Sequence, residues 1–167
     1  MKWLESQHLE VLALPGKRTP RINVKAPTLG QFCLYWLPPL LVTAGILLFS
    51  GEWGSSRYTL KLLGWLRSWL PLMGPSRMEE ANFYLRKAGH ALAYATLYVL
   101  WFRALRGYFF PRLGPAIFLA LFFCLSTSLA DEGHQSFVPS RGGSLWDVSL
   151  DFGAAVLAAL ALYFKSR

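Results

Sequence analysis

The sequence predicts an all-α, polytopic membrane protein: a four-transmembrane-helix bundle with one interfacial amphipathic helix. Three observations carry this prediction. Four apolar runs recur along the 167 residues, each long enough to cross a bilayer. Charged residues make up 16% of the chain and hydrophobic residues 54%, whereas soluble domains average ~25% charged. Seven Trp, seven Tyr and twelve Phe supply the aromatic belts that anchor a protein at both membrane interfaces.

Residues 1–30 form a basic N-terminal arm carrying Lys2, Lys17, Arg18, Arg21 and Lys25, in which Pro15, Pro20 and Pro27 oppose a continuous helix. The arm is long for a signal n-region, and no small-residue cleavage site follows the first apolar run. The expectation is therefore an uncleaved signal anchor. Residues 31–167 read as one membrane domain, with spans at about 31–50, 88–106, 113–130 and 148–164. The first span, Gln31 to Ser50, has no charge. At ~1.5 Å per residue its length matches the ~30 Å hydrocarbon core. Pro38-Pro39 predicts a kink within it.

An interfacial helix is predicted at about 58–73. Lys61, Gly64, Arg67 and Ser68 share one helical face, and Leu62, Leu63, Trp65, Leu66, Trp69 and Leu70 cover the rest. Pro75 and Ser76 end it, and a helix restarts near Glu79. The second span exits at Arg103 and Arg106. The fourth carries Gly153, Ala154, Ala155, Ala158 and Ala159, small residues that place it centrally in the bundle. Cys33 and Cys124 both sit inside apolar runs and read as small core residues.

The net charge of +8 does not indicate nucleic acid, because the basic residues flank apolar runs and form no polar block. Membrane lipids are the expected counter-charge. The loop 103–112 carries Arg103, Arg106 and Arg112, and the loop 131–147 only Arg141. This predicts a multi-pass protein of the inner (cytoplasmic) cell membrane with cytoplasmic termini. The loop 51–87, with six basic residues, runs against that orientation. Either way, the start of span two, the end of span three and the start of span four share one membrane face.

That shared face holds the chemistry. Asp131, Glu132, Asp147 and Asp151 are four of the nine acidic residues, packed into 21 positions. Ionisable groups in or near a membrane are costly and mark functional positions. Lys87, His90 and Tyr94 are spaced i, i+3, i+7 on one face of span two, and Asp147 and Asp151 are spaced i, i+4 at the start of span four. A helix N-terminus favours such carboxylates. Asp131 and Glu132 end span three, and His134, Gln135 and Arg141 lie in the connecting loop. The candidate ligand-binding cluster is Lys87, His90, Tyr94, Asp131, Glu132, Gln135, Arg141, Asp147 and Asp151. Arg141 is expected to pair with Asp147 or Asp131.

The stretch Asp131-Glu132-x-x-Gln135-x-Phe137-Val138-Pro139-x-Arg141-x-Gly143-Ser144-Leu145-x-Asp147-Val148, followed by Gly153, resembles the signature of the VanZ-like family. Lys87-x-x-His90, with Tyr94 and Leu97 after it, resembles that family's first motif. Two positions depart from the pattern. The family usually has an Asp before the Lys, where this chain has Arg86. It usually has an Asn four residues after the Asp of span four, where this chain has Asp151. The resemblance implies a VanZ-like membrane domain over 31–167 and a protein of the cell envelope. It names no reaction and implies no role in glycopeptide resistance here.

Four functional readings follow. In the first, Arg141 and Lys87 hold an anionic, lipid-like headgroup or a partner membrane protein, with Trp65, Trp69 and Trp146 against the apolar part. In the second, a membrane-embedded enzyme uses His90 or Glu132 as general base on a lipid-linked substrate, with Arg141 steadying negative charge. A divalent ion at Asp131, Glu132, His134, Asp147 or Asp151 belongs to that branch. No ligand spacing is diagnostic, so no metal and no cofactor are expected. The third reading is a purely structural ionic clamp of the bundle. The fourth, a carrier, ranks last, because no repeat is visible and only Tyr94, Ser126 and Thr127 are polar near a midplane.

Overall fold

The computed structural model describes residues 28–51, 54–69, 74–108, 110, 112–139 and 141–165. Among them are five helices and no strand: α1 (Leu29–Phe49), α2 (Ser56–Trp69), α3 (Pro75–Tyr108), α4 (Leu113–Gln135) and α5 (Leu145–Lys165). Nearly all of the basic N-terminal arm, and residues 70–73 of the interfacial segment, lie outside the described residues.

α1 starts at a capping box. Thr28 Oγ1 accepts from the Gln31 amide at 3.3 Å, and Gln31 Oε1 accepts from the Thr28 amide at 3.1 Å. The helix continues through Pro38 and Pro39. A proline has no N–H, so the carbonyl four residues earlier loses its donor. For Pro38 that carbonyl belongs to Leu34, and Arg103 Nη2 of α3 donates to it at 2.7 Å. The Arg103 guanidinium also lies 5.2 Å from the centre of the Tyr35 ring.

Pro75 opens α3 instead of closing the preceding element. This corrects the expected restart near Glu79: a proline at the first helical position loses no hydrogen bond and presets φ. α3 is 34 residues long and packs against each of the other four helices. Its Tyr94, Leu97, Tyr98, Trp101 and Leu105 fill the core against Ala116, Ala120 and Cys124 of α4 and Ala155 and Ala159 of α5. The small residues recur at i, i+4, i+8 on α4 and at i, i+4 on α5, which lets α3's aromatic side chains pack closely against both helices. The Trp101 and Phe123 rings stack at 4.4 Å. The central helix is thus α3; among the described helices, the small-residue helix α5 packs beside α3 and α4.

Among the described residues, three helices are long and apolar enough to cross a membrane: α1, α4 and α5. The expected second span, about 88–106, falls within α3, which is not among them: its apolar run is diluted by His90, Tyr94, Tyr98, Trp101 and Arg103. α4 also outlasts its predicted end, continuing for five residues beyond Ala130 through Asp131, Glu132, Gly133, His134 and Gln135. α5 starts at Leu145, three residues earlier than expected. The two cysteines separate: Cys124 is buried in the core, whereas Cys33 faces outward, contrary to its reading as a core residue.

Contacts fix the directions. Leu34 lies beside Arg103 and Ser50 beside Asp131; Trp101 lies beside Phe123 and Tyr94 beside Asp131. α3 therefore runs antiparallel to α1 and α4. Lys87 meets Asp147 and His90 meets Asp151, so α3 and α5 run parallel. The end of α4 and the start of α5 come together around the stretch of α3 from Lys87 to Tyr94.

Candidate functional site: a two-tier polar cluster at one end of the bundle

The face of α3 predicted from spacing engages three carboxylates in succession. Lys87 Nζ pairs with Asp147 Oδ1. One turn further in, His90 Nδ1 lies 3.4 Å from Asp151 Oδ1. Another turn in, the Tyr94 hydroxyl donates to Asp131 Oδ2 at 3.4 Å. The i, i+4 spacing of Asp147 and Asp151 on the parallel helix matches the rise from Lys87 to His90.

α4 supplies the inner wall. Asp131 is 2% exposed and Glu132 5%, while Asp151 of α5 is 0% exposed. Gln135 Nε2 donates to Asp131 Oδ1 at 3.0 Å, Ser128 Oγ donates to Asp151 Oδ2 at 2.9 Å, and the Ser144 amide donates to Glu132 Oε2 at 2.8 Å. This explains the extra helical length. The acids do not mark where the chain leaves the bundle; they point inward, and each accepts at least one hydrogen bond from a neighbouring residue.

The loop after α4 returns Arg141 over the cluster. The Arg141 amide donates to the Val138 carbonyl at 2.9 Å, closing a turn with Pro139 in its second position. Arg141 Nη1 then donates to the Ser50 carbonyl at 3.1 Å, at the end of α1. Arg141 also borders one small cavity with Asp131, one of its two expected partners. Two glycines permit this closure. A Cβ on Gly54 would stand 2.4 Å from Arg141 Nη2, and one on Gly143 would stand 2.3 Å from the Glu132 carbonyl oxygen. Gly143 lets the loop press against the end of α4 and delivers the Ser144 amide to Glu132. Ser144 Oγ also accepts from the Trp146 amide at 3.2 Å, capping the start of α5.

All nine residues of the predicted cluster converge at this end of the bundle. His134 does not join them: it sits on α4, outside the expected loop, and is exposed. Sequence reasoning missed Ser128 and Ser50. Ser128 was legible, because Ser128, Asp131 and Gln135 share the i, i+3, i+7 spacing. The polar positions singled out instead, Ser126 and Thr127, do other things: Ser126 is exposed, and Thr127 Oγ1 donates to its own helix at the Phe123 carbonyl, 2.8 Å away. Ser50 has no local signal. Its hydroxyl donates to the Asp131 carbonyl at 2.9 Å, 81 positions away.

Above the buried acids opens a cavity of about 250 Å³ whose lining includes Arg86, Lys87, His90, Gln135, Arg141 and Asp147. Arg86 borders this cavity, and its Nη1 donates to Ser56 Oγ of α2. The site therefore has two tiers of opposite sign, with three basic side chains around the opening and three buried carboxylates beneath.

The chain matches the VanZ/LLP1 family over residues 34–166, which takes in α2 to α5 and most of α1. The chain belongs to the VanZ/LLP1 family. Among curated proteins and solved structures, none matches it. The match agrees with the resemblance read from the Asp131–Gly153 stretch, and this VanZ/LLP1 protein is a membrane protein with at least three helices suited to spanning. At the two positions where it departs from the family pattern, this member places Arg86 on the cavity wall and Asp151 among the buried acids.

Proposed function

We propose that this VanZ/LLP1 protein is a four-span protein of the cell-envelope membrane whose polar mouth binds the anionic headgroup of a lipid-like amphiphile. The observation that carries the reading is the cavity of about 250 Å³ edged by Arg86, Lys87 and Arg141. Such a cavity takes a headgroup rather than a whole lipid, and guanidinium groups match phosphate and carboxylate geometry. The fourth pass is the stretch of α3 from about 88 to 106. It is antiparallel to α1 and α4 and level with them, from Tyr94 at Asp131 to Arg103 at Leu34. α2, with Lys61 and Trp65 exposed, lies in the interface beside the opening, and the termini face the cytoplasm.

The test is thermal unfolding of the purified protein in zwitterionic detergent, with phosphatidylglycerol or phosphatidylcholine added. Phosphatidylglycerol is expected to raise the midpoint and phosphatidylcholine to leave it, with the shift reduced in Arg86→Gln. A second reading rests on the links from Lys87 to Asp147 and from Tyr94 to Asp131, which tie α3 to both neighbours. If they serve only to clamp the bundle, neither lipid shifts the midpoint, and the binding reading fails.

A further inference from the structure

The lower tier of the site is built for a ligand of the opposite charge. His90 of α3, Asp131 and Glu132 of α4 and Asp151 of α5 each offer one ligand atom, and the four atoms lie within 4.8 Å of one another. The three carboxylates are all more than nine-tenths buried. Ionised together they repel one another at short range and forgo hydration, and one imidazole offsets a single charge at most.

The hydrogen bonding within the cluster is uneven in an informative way. Asp131 is held on both oxygens, by Gln135 and Tyr94. Glu132 and Asp151 are each held on one, by Ser144 and Ser128. Their other oxygens, Glu132 Oε1 and Asp151 Oδ1, are buried without a hydrogen-bond partner. Asp151 Oδ1 has only the long 3.4 Å approach of His90 Nδ1. Buried carboxylate oxygens that are steadied on one side and open on the other are what outer-sphere partners produce around metal ligands. Spacing along the chain carries no such signature, because the four residues come from three helices.

We propose that His90, Asp131, Glu132 and Asp151 bind one divalent transition-metal ion, Mn²⁺ or Zn²⁺. One imidazole nitrogen with three carboxylate oxygens suits these ions better than Ca²⁺ or Mg²⁺, which favour all-oxygen shells. The ion reduces the cluster from three negative charges to one. The cavity of about 100 Å³ bordered by His90, Tyr94, Asp131, Gln135 and Arg141 provides the approach. The site needs no lipid, so it stands or falls separately from headgroup binding.

The experiment uses the full chain in detergent, stripped with EDTA, dialysed against Mn²⁺, Zn²⁺, Ca²⁺ or Mg²⁺ without added lipid, and assayed by elemental analysis and thermal unfolding. About one Mn²⁺ or Zn²⁺ per chain is expected to remain, with a midpoint rise that Ca²⁺ and Mg²⁺ do not match. Asp151→Asn and Glu132→Gln keep side-chain shape and remove charge. Each is expected to weaken retention at least ~10-fold, while unfolding in EDTA no earlier than wild type, because a buried repulsion is relieved. Pulsed electron resonance of the Mn²⁺ form is expected to show a coupled histidine nitrogen, absent in His90→Ala. Failure of wild type to retain either ion, retention undiminished in both carboxylate variants, or a Mn²⁺ spectrum without histidine nitrogen overturns the site. The last of these decides the matter even if the variants do not fold.

Discussion

Arg103 of α3 donates to the carbonyl of Leu34, the acceptor that Pro38 leaves without its helical partner. A residue that reads in the sequence as a basic flank marking a span exit thus docks one helix on another at the point where the first is weakened. Arg103→Ala is expected to lower stability by about 1 kcal/mol, a low figure for a charged donor because Arg103 is exposed. Restoring the amide with Pro38→Ala is expected to make the loss at Arg103 smaller. A double-mutant cycle by thermal unfolding measures the coupling, and additive effects would sever the link between the two residues.

Gly143 and Gly153 both belong to the motif, and the structure separates them. A Cβ at Gly143 meets the Glu132 carbonyl oxygen at 2.3 Å, whereas one at Gly153 meets nothing within 4 Å. Gly143→Ala is expected to cost about 1–3 kcal/mol, since backbone on both sides must shift. Gly153→Ala, inside α5, is expected to be neutral or to stabilise by about 0.5–1 kcal/mol. Unfolding midpoints of the two variants, with Gly142→Ala as an open-space control, check the contrast.

The Lys87–Asp147 pair is partly exposed, at 30% and 21% of the two side chains. Screening holds its worth to about 1 kcal/mol or less. Lys87→Gln and Asp147→Asn are each expected to destabilise by that amount. The double variant is expected to recover part of the loss, because neither charge is then left alone. Raised salt should narrow the gap between wild type and the single variants; a gap indifferent to salt would remove the electrostatic explanation.

Ser128→Ala removes the donor to Asp151 Oδ2 where both residues are fully buried. That oxygen loses its hydrogen bond from α4, and a cost of about 1–3 kcal/mol is expected. Ser126→Ala, on the exposed side of the same helix, is expected to be silent. Equal losses at the two serines in thermal unfolding would contradict the placement of Ser128.

Much of this architecture was legible because apolar runs, small-residue spacing and the i, i+3, i+7 face of Lys87, His90 and Tyr94 are local signals. What escaped depended on partners distant in the chain. Asp131 and Glu132 looked like the end of a span because isolated acids belong in water; with Tyr94, Gln135 and Ser144 beside them they belong to the helix. Pro75 looked like a stop because a proline ends one helix as readily as it begins another. Arg141 looked like a partner for Asp147 or Asp131, and only the fold reveals the Ser50 carbonyl 91 positions away.

The fastening of α1 also bears on the order in which the molecule is put together. Its outward side chains, among them Leu34, Leu37, Leu41 and Leu48, are exposed, and two of its polar ties sit at opposite ends, Leu34 with Arg103 and Ser50 with Asp131 and Arg141. During synthesis Ser50 emerges 81 residues before Asp131 and 91 before Arg141. The earliest of the described helices is therefore among the last to be secured. The surface that receives its Ser50 end exists only once α4 and the loop that follows it have been made.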